Sequence, residues 1–264
     1  MLSSTYTPGS IFKIVTTAAA IEAIPELDSR TFTCEGSVII NGNQINCTGV
    51  HGQIDFKTAL AHSCNVAFGE LAVELGEDRM TEMANRLGFN SSYAVCGVTT
   101  AKSVYQVDGA SDDELAWSGI GQFTDLANPM HMAILMSAVA NDGIPTMPYF
   151  VSDITTSFGL PSGTGHGKKG ERMLSVSTAE RLKTYLRYNV SSYYGDGMFP
   201  AGMEVCAKTG TAEVGEGKAP TGWMVGFSSN SSTPYAFAVA VEEGSSGIGS
   251  AGSVASAVLS ALAG

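Results

Sequence analysis

The chain has 264 residues, 44% hydrophobic and 15% charged, which supplies a real core and rules out the low-hydrophobicity, high-charge composition of a disordered chain. Its formal charge of −11 comes from 14 basic against 25 acidic residues with no Lys/Arg-rich run, so nucleic acid is a poor partner. No apolar stretch reaches membrane-spanning length uninterrupted, and residues 1–10 lack the basic and apolar regions of a leader, so this sequence is expected to be soluble.

In chain order, Pro8-Gly9 is a breaker, and residues 10–24 are apolar, Ala-rich and free of Gly and Pro. That stretch predicts a buried helix whose first turn carries Ser10. Residues 31–54 predict a hairpin region with Asn41-Gly42 as a type I′ turn. Cys34 and Cys47 flank this hairpin and are the pair best placed for a disulfide, which would mean an oxidising, extracytoplasmic setting; the alternative is two buried thiols. Short helices are expected over 55–61, 65–75 and 78–87, with Gly76 and Gly88 as stops. Residues 90–111 look irregular or weakly stranded, and 128–141 a second apolar helix. A Gly-rich loop over 162–170 precedes a helix at 177–190, with Ser177 as its N-cap. Strands follow at 203–213, 222–229 and 235–243, then a last helix over 250–262. The fold class is α/β (α+β): an antiparallel sheet flanked by helices, in one domain of 264 residues. A mainly helical subdomain would occupy 25–190, and an α/β subdomain 1–24 plus 191–264.

Three short patterns carry chemistry: Ser10-Ile11-Phe12-Lys13, Ser63-Cys64-Asn65 and Lys208-Thr209-Gly210. Singly each is weak, and Ser228-Ser229-Asn230 repeats the second by chance. Ser10 and Lys13, three apart on a helix, share a face, so the amine can reach the hydroxyl. Lysine acts as a base only if burial or a second cation such as Lys208 lowers its pKa. Ser63 could relay a proton, Asn65 could hold a carbonyl, and Thr209 and Thr211 offer hydroxyls to a carboxylate. Gly210 allows another backbone to approach the strand. Each also has a plainer explanation: N-caps at Ser10 and Ser63, a solvated Lys13, and an edge strand guarded by Lys208.

Together these residues resemble the penicillin-binding protein and serine β-lactamase superfamily, which shares the Ser-x-x-Lys and Lys-Thr-Gly signatures. Tyr6-Thr7-Pro8-Gly9-Ser10-Ile11-Phe12-Lys13, Ser118-Gly119-Ile120-Gly121-Gln122, Lys208-Thr209-Gly210-Thr211-Ala212-Glu213 and Trp223-Met224-Val225-Gly226-Phe227 narrow the resemblance to class B penicillin-binding proteins. The resemblance implies a D,D-transpeptidase acting on peptidoglycan stem peptides and acylated by β-lactam antibiotics, with Ser10 as nucleophile and Lys13 as base. It further implies Ser63 as proton relay, Asn65 on the substrate amide, Lys208 as positive potential, Thr209 and Thr211 on the terminal carboxylate, and Ser10 and Thr211 N–H groups as oxyanion hole. The parent is expected to be extracytoplasmic and held to the membrane by an N-terminal segment. Ser10 lies so near the start that N-terminal sheet strands are expected to be missing, and Asn128-Pro129-Met130-His131 departs from the family's Thr-Pro-Leu-Gln type of segment. Two alternatives stay open: a non-catalytic or penicillin-sensing module, and a serine β-lactamase, for which no clear Glu-containing segment between Ser63 and Lys208 supplies a water-activating base, Glu114 being the residue left to test. No cofactor is expected, and no metal, because no His or Cys pair with zinc-site spacing has a second pair to match.

Overall fold

The computed structural model describes residues 2–213, 215 and 217–263. A 3₁₀ turn, Gly9–Phe12, runs into α1 (Lys13–Ala23), which is mostly apolar and buried from Lys13 to Ile21, packed on later helices. Next come β1 (Thr31–Cys34), β2 (Ser37–Ile40), β3 (Asn43–Asn46), β4 (Gly52–Asp55), α2 (Phe56–Ala61) and α3 (Asn65–Arg86). Asn41 and Gly42 adopt φ of 50° and 80°, the expected I′ geometry, and β2 pairs with β3 in register Ser37↔Asn46. The helices expected over 65–75 and 78–87 follow one another within α3, which breaks at the expected Gly76, whose φ of 79° and ψ of 163° lie outside the helical region.

The middle of the chain holds β5 (Ala94–Val95), β6 (Val98–Thr99), α4 (Asp112–Gly119) and α5 (Pro129–Ala140). Asn128 caps α5 by accepting from the Met130 and His131 N–H groups. His131 is fully buried, its ring nitrogens 2.7 Å from Ser103 Oγ and 2.8 Å from the Leu87 carbonyl. Burial pushes its pKa down to about 4, so the segment that departs from the family pattern is a packing helix with a neutral imidazole inside.

Short strands precede and enter the stretch 162–170 expected as a loop: β7 (Thr146–Met147), β8 (Asp153–Thr155), β9 (Pro161–Thr164) and β10 (Lys168–Lys169), paired as β8–β9 and β7–β10. Their exposure and lack of apolar alternation hid them from the sequence pattern. The next helix, α6 (Val176–Asn189), is capped by Ser175 instead of Ser177: Ser175 Oγ accepts from the Thr178 N–H at 3.0 Å, the three-residue span a cap needs.

The largest sheet is antiparallel, in order β11 (Val205–Ala212), β12 (Thr221–Ser228), β13 (Ala236–Val241). Every residue of β12 is buried because the sheet is covered on both faces. Trp223, Val225 and Phe227 join the main core with α1, α3 and α5, while Met224 with Val205 and Ala207 packs on the closing helix α7 (Ser253–Ala263). No described helix is long and apolar enough to cross a membrane.

The expected Cys34–Cys47 disulfide is not formed; all five cysteines are free thiols. The hairpin ladder closes with the Cys47 N–H donating to the Gly36 carbonyl, whereas Cys34 belongs to β1, which pairs with β4. Cys47 Sγ instead turns toward Cys64 Sγ, 3.8 Å away.

Candidate active site

The 3₁₀ turn places Ser10 ahead of α1, and three residues later Lys13 returns on the same face, with Nζ 3.0 Å from Ser10 Oγ. Ser10 lies inside the 3₁₀ turn, with Pro8 at its N-cap position and Phe12 at that of α1, and Lys13 is 0% exposed, so neither the N-cap nor the solvated-lysine explanation holds. Nζ also lies 2.6 Å from the Ser63 carbonyl, 3.1 Å from Ser63 Oγ and 2.8 Å from Asn65 Oδ1. Four oxygens surround the nitrogen; as an ammonium it offers three N–H donors and no acceptor, and only as the neutral amine does it carry a lone pair to which a hydroxyl can donate. Burial draws the Lys13 pKa down from 10.5 to about 7, opposed by the thiols of Cys64 and Cys47.

Ser63 reaches this spot because the turn between α2 and α3 puts it in the left-handed region, φ 59°. Asn65, first residue of α3, donates from Nδ2 to the Asn46 carbonyl at 2.9 Å, which fixes its Oδ1 toward Lys13. From the sheet, Lys208 brings Nζ to 3.1 Å from the same Ser63 Oγ and 2.8 Å from the Thr209 carbonyl. Lys208 is fully buried, and burial followed by the Lys13 charge pulls its pKa well below the usual value. Ser63 Oγ is thus the shared atom of two lysines.

Gly210 is required on the inner side of β11: a Cβ there would sit 2.9 Å from the Pro8 carbonyl oxygen and 3.1 Å from Ile11. The backbone it admits closely is thus the chain's own turn bearing Ser10. Gly121 plays a matching part from below. Its carbonyl accepts from the Gly9 N–H at 2.8 Å, and with φ 84° its own Cβ would fall 1.9 Å from the Gly9 oxygen. On the outer side of β11, the Thr211 Oγ1 accepts from the Gly247 N–H at 3.1 Å, and the Thr209 N–H and hydroxyl both donate to Tyr194 Oη, at 3.2 and 3.1 Å.

Ser10, Ser63, Asn65, Thr209, Gly210 and Thr211 line one cleft of about 470 Å³, together with Trp117 and Gln122. Lys13 and Lys208 lie beneath it. All eight residues expected from the motifs therefore converge. Tyr194 and Trp117 escaped the sequence reading, because neither belongs to a repeated short pattern; only the fold brings them alongside. Glu114 is engaged elsewhere: its Oε2 accepts from the Ser111 N–H at 2.9 Å at the start of α4. Behind Asn65, the ligand atoms of Cys34, Cys47, His51 and Cys64 all lie within 4.8 Å of one another, a group that could hold a metal ion.

Residues 1–262 match the family described as the penicillin binding protein transpeptidase domain. The chain belongs to that family. The transpeptidase domain is 30% identical over 254 residues to the peptidoglycan D,D-transpeptidase PbpA of Mycolicibacterium smegmatis, covering 92% of this chain and 51% of that protein. It thus spans about half the length of that curated relative. Among solved structures it is similar to the ceftriaxone acyl-enzyme complex of penicillin-binding protein A from Mycobacterium tuberculosis, with a TM-score of 0.90 and 27% identity over 99% of this chain and 61% of that one. A D,D-transpeptidase domain of a peptidoglycan glycosyltransferase from Eggerthella lenta superposes with a TM-score of 0.86 at 28% identity, covering 97% of this chain and 66% of that one. The fold class expected from the sequence is the one observed.

Proposed function

We propose that this domain is a serine D,D-transpeptidase that cross-links peptidoglycan stem peptides and is acylated by β-lactams at Ser10. The observation that carries the reading is the buried Lys13 amine within hydrogen-bond reach of Ser10 Oγ, Ser63 Oγ and Asn65 Oδ1, with Lys208 on the same Ser63 oxygen. Neutral Lys13 takes the Ser10 proton as Oγ attacks the carbonyl carbon between the two terminal D-alanines. The oxyanion is held by the N–H groups of Ser10 and Thr211, in a site where fixed donors need no reorganisation. As the C–N bond breaks, the proton on Lys13 passes through Ser63 Oγ to the departing amine, and the peptide remains as an ester on Ser10. A second stem-peptide amine then attacks the ester, gives its proton to Lys13, and restores the Ser10 hydroxyl. A β-lactam follows the first half of this course, but its leaving nitrogen stays tethered by the opened ring.

Asn65 would align the substrate amide and Lys208 would supply positive potential to the carboxylate. Because the Thr211 oxygen already accepts from Gly247, its O–H is free to donate to that carboxylate. Thr209 would act mainly through its place on the strand, its hydroxyl being donated to Tyr194. We assign the work to the extracytoplasmic side, in a membrane-associated parent, because that is where peptidoglycan is cross-linked. The β-lactamase alternative loses its candidate base, since Glu114 is tied to the α4 terminus.

The test is intact-protein mass after incubation with penicillin G, run beside Ser10→Ala. A lasting adduct on the parent and none on the variant is expected. No adduct on protein shown to be folded by circular dichroism would overturn the reading in favour of a non-catalytic module, and rapid loss of an adduct would favour a β-lactamase.

A further inference from the structure

Four soft ligands meet where the substrate-facing loops are anchored, each delivered singly by a different segment. Cys34 ends β1, Cys47 follows β3, His51 precedes β4, and Cys64 caps α3. Backbone pairing sets their positions without help from the side chains. The Cys47 N–H donates to the Gly36 carbonyl at 2.9 Å, and the His51 N–H donates to the Cys34 carbonyl at 3.1 Å. Cys34 and Cys64 are buried, Cys47 and His51 half-buried, so the group is shielded yet reachable.

A tetrahedral zinc with bonds of about 2.3 Å to sulfur and about 2.0 Å to nitrogen separates its ligands by about 3.8 Å (S to S) and about 3.5 Å (S to N). Here Cys47 Sγ stands 3.8 Å from Cys64 Sγ and 3.6 Å from His51 Nδ1, and all four ligand atoms fall within 4.8 Å of each other. Backbone N–H groups already point at the sulfurs, Asn65 N–H to Cys47 Sγ at 3.2 Å and Ala67 N–H to Cys64 Sγ at 3.5 Å, the outer-shell support that thiolate ligands take. A disulfide between any two of these cysteines would leave a thiol and the imidazole unmatched.

We propose that Cys34, Cys47, His51 and Cys64 form a closed tetrahedral zinc site that fixes the Asn46–Cys47 and Ser63–Asn65 segments against each other. Binding releases the three thiol protons to solvent and leaves the site with one net negative charge. With all four positions filled by protein, the ion takes no part in bond making. Its part is positional: Cys64 lies between Ser63 and Asn65, both in contact with Lys13, and Asn46 accepts from the Asn65 side chain. This positioning role rests on the transpeptidase reading; the metal site itself does not. The absence of metal expected from the sequence came from looking for ligand pairs, and these ligands arrive one at a time over 31 positions from Cys34 to Cys64.

The experiment uses the full chain, purified without chelator and kept reduced. Metal analysis is expected to return one zinc per chain, and exchange with cobalt(II) to give the intense visible bands of tetrahedral thiolate-bound cobalt. Cys34→Ser and His51→Ala should lose the zinc, whereas His51→Cys should retain it and Cys206→Ser should be unaffected. Stripping the zinc should slow acylation by penicillin about tenfold, the lower end of what loss of a supporting interaction costs at metal sites, and returning it should restore the rate. Substoichiometric zinc together with no cobalt bands on folded, reduced wild-type protein would overturn the site. So would a Cys47–Cys64 or Cys34–Cys47 disulfide in peptide maps with no metal uptake after reduction. A stoichiometric ion whose removal leaves acylation unchanged would overturn the positioning role alone. If the single-site variants do not fold, the wild-type cobalt spectrum still decides the site, and it is independent of any acylation result.

Discussion

If Lys13 accepts the Ser10 proton, as proposed, acylation of Ser10 should rise with pH through a single limb near 7, because only the neutral amine can do so. Lys13 drops from 10.5 to about 7 through burial, a differential solvation of about 5 kcal/mol. At pH 7.5 an ordinary lysine is about 0.1% neutral, whereas a group at about 7 is about three-quarters neutral, so burial raises the competent fraction several hundredfold. The second-order rate of acylation by a chromogenic cephalosporin, followed by stopped flow from pH 5.5 to 9, should be flat above about pH 8 and fall tenfold per pH unit below about pH 6. At pH 5.5 it should stand about thirtyfold under the plateau. An acylation rate at pH 5.5 within twofold of that at pH 8, on protein shown to be folded, would refute Lys13 as the base. So would a limb displaced to the range of a solvated lysine.

The same shift has a consequence for stability. The folded pKa of Lys13 lies below the unfolded one, so the unfolded chain binds the extra proton between about pH 7 and 10.5, and stability rises with pH across that window. Urea midpoints should therefore climb more steeply between pH 7 and 9.5 for wild type than for Lys13→Met. Gly121→Ala should cost about 2–4 kcal/mol in urea unfolding and depress acylation sharply, since its methyl group would meet the Gly9 oxygen at the turn carrying Ser10. Tyr194→Phe removes the acceptor of the Thr209 N–H and should slow acylation about tenfold, the effect of about 1–2 kcal/mol, while leaving the pH limb unmoved.

The placement of the candidate site residues was legible in the sequence where local geometry forces the outcome. Ser10 and Lys13 share a helix face whatever surrounds them, and Lys208 and Gly210 share one side of a strand by the same kind of constraint. The hairpin at Asn41-Gly42 was fixed by turn chemistry, and the three main strands by their apolar runs between Gly, Pro and Ser breaks. What the sequence did not disclose depends on meetings between distant segments. Cys34 and Cys47 were expected to pair with each other, and instead their sulfurs meet Cys64 and His51 in one group, with Cys47 Sγ 3.8 Å from Cys64 Sγ, a meeting set by the pairing of β1 with β4 and by the start of α3. Tyr194 meets Thr209 only because a π-helical turn, Val190–Tyr194, extends α6 to the edge of β11. The short strands between β7 and β10 carry no apolar alternation, so periodicity was silent there.

The crowding of Lys13 by Ser63 and Asn65, and of Ser63 by Lys208, joins positions separated by 50, 52 and 145 residues. No partial chain can bring those atoms together, and contacts of such span form late and slowly. A fluorescent penicillin therefore serves as a clock for folding: during refolding, covalent labelling should lag behind recovery of helical circular dichroism and keep pace with the appearance of the sheet.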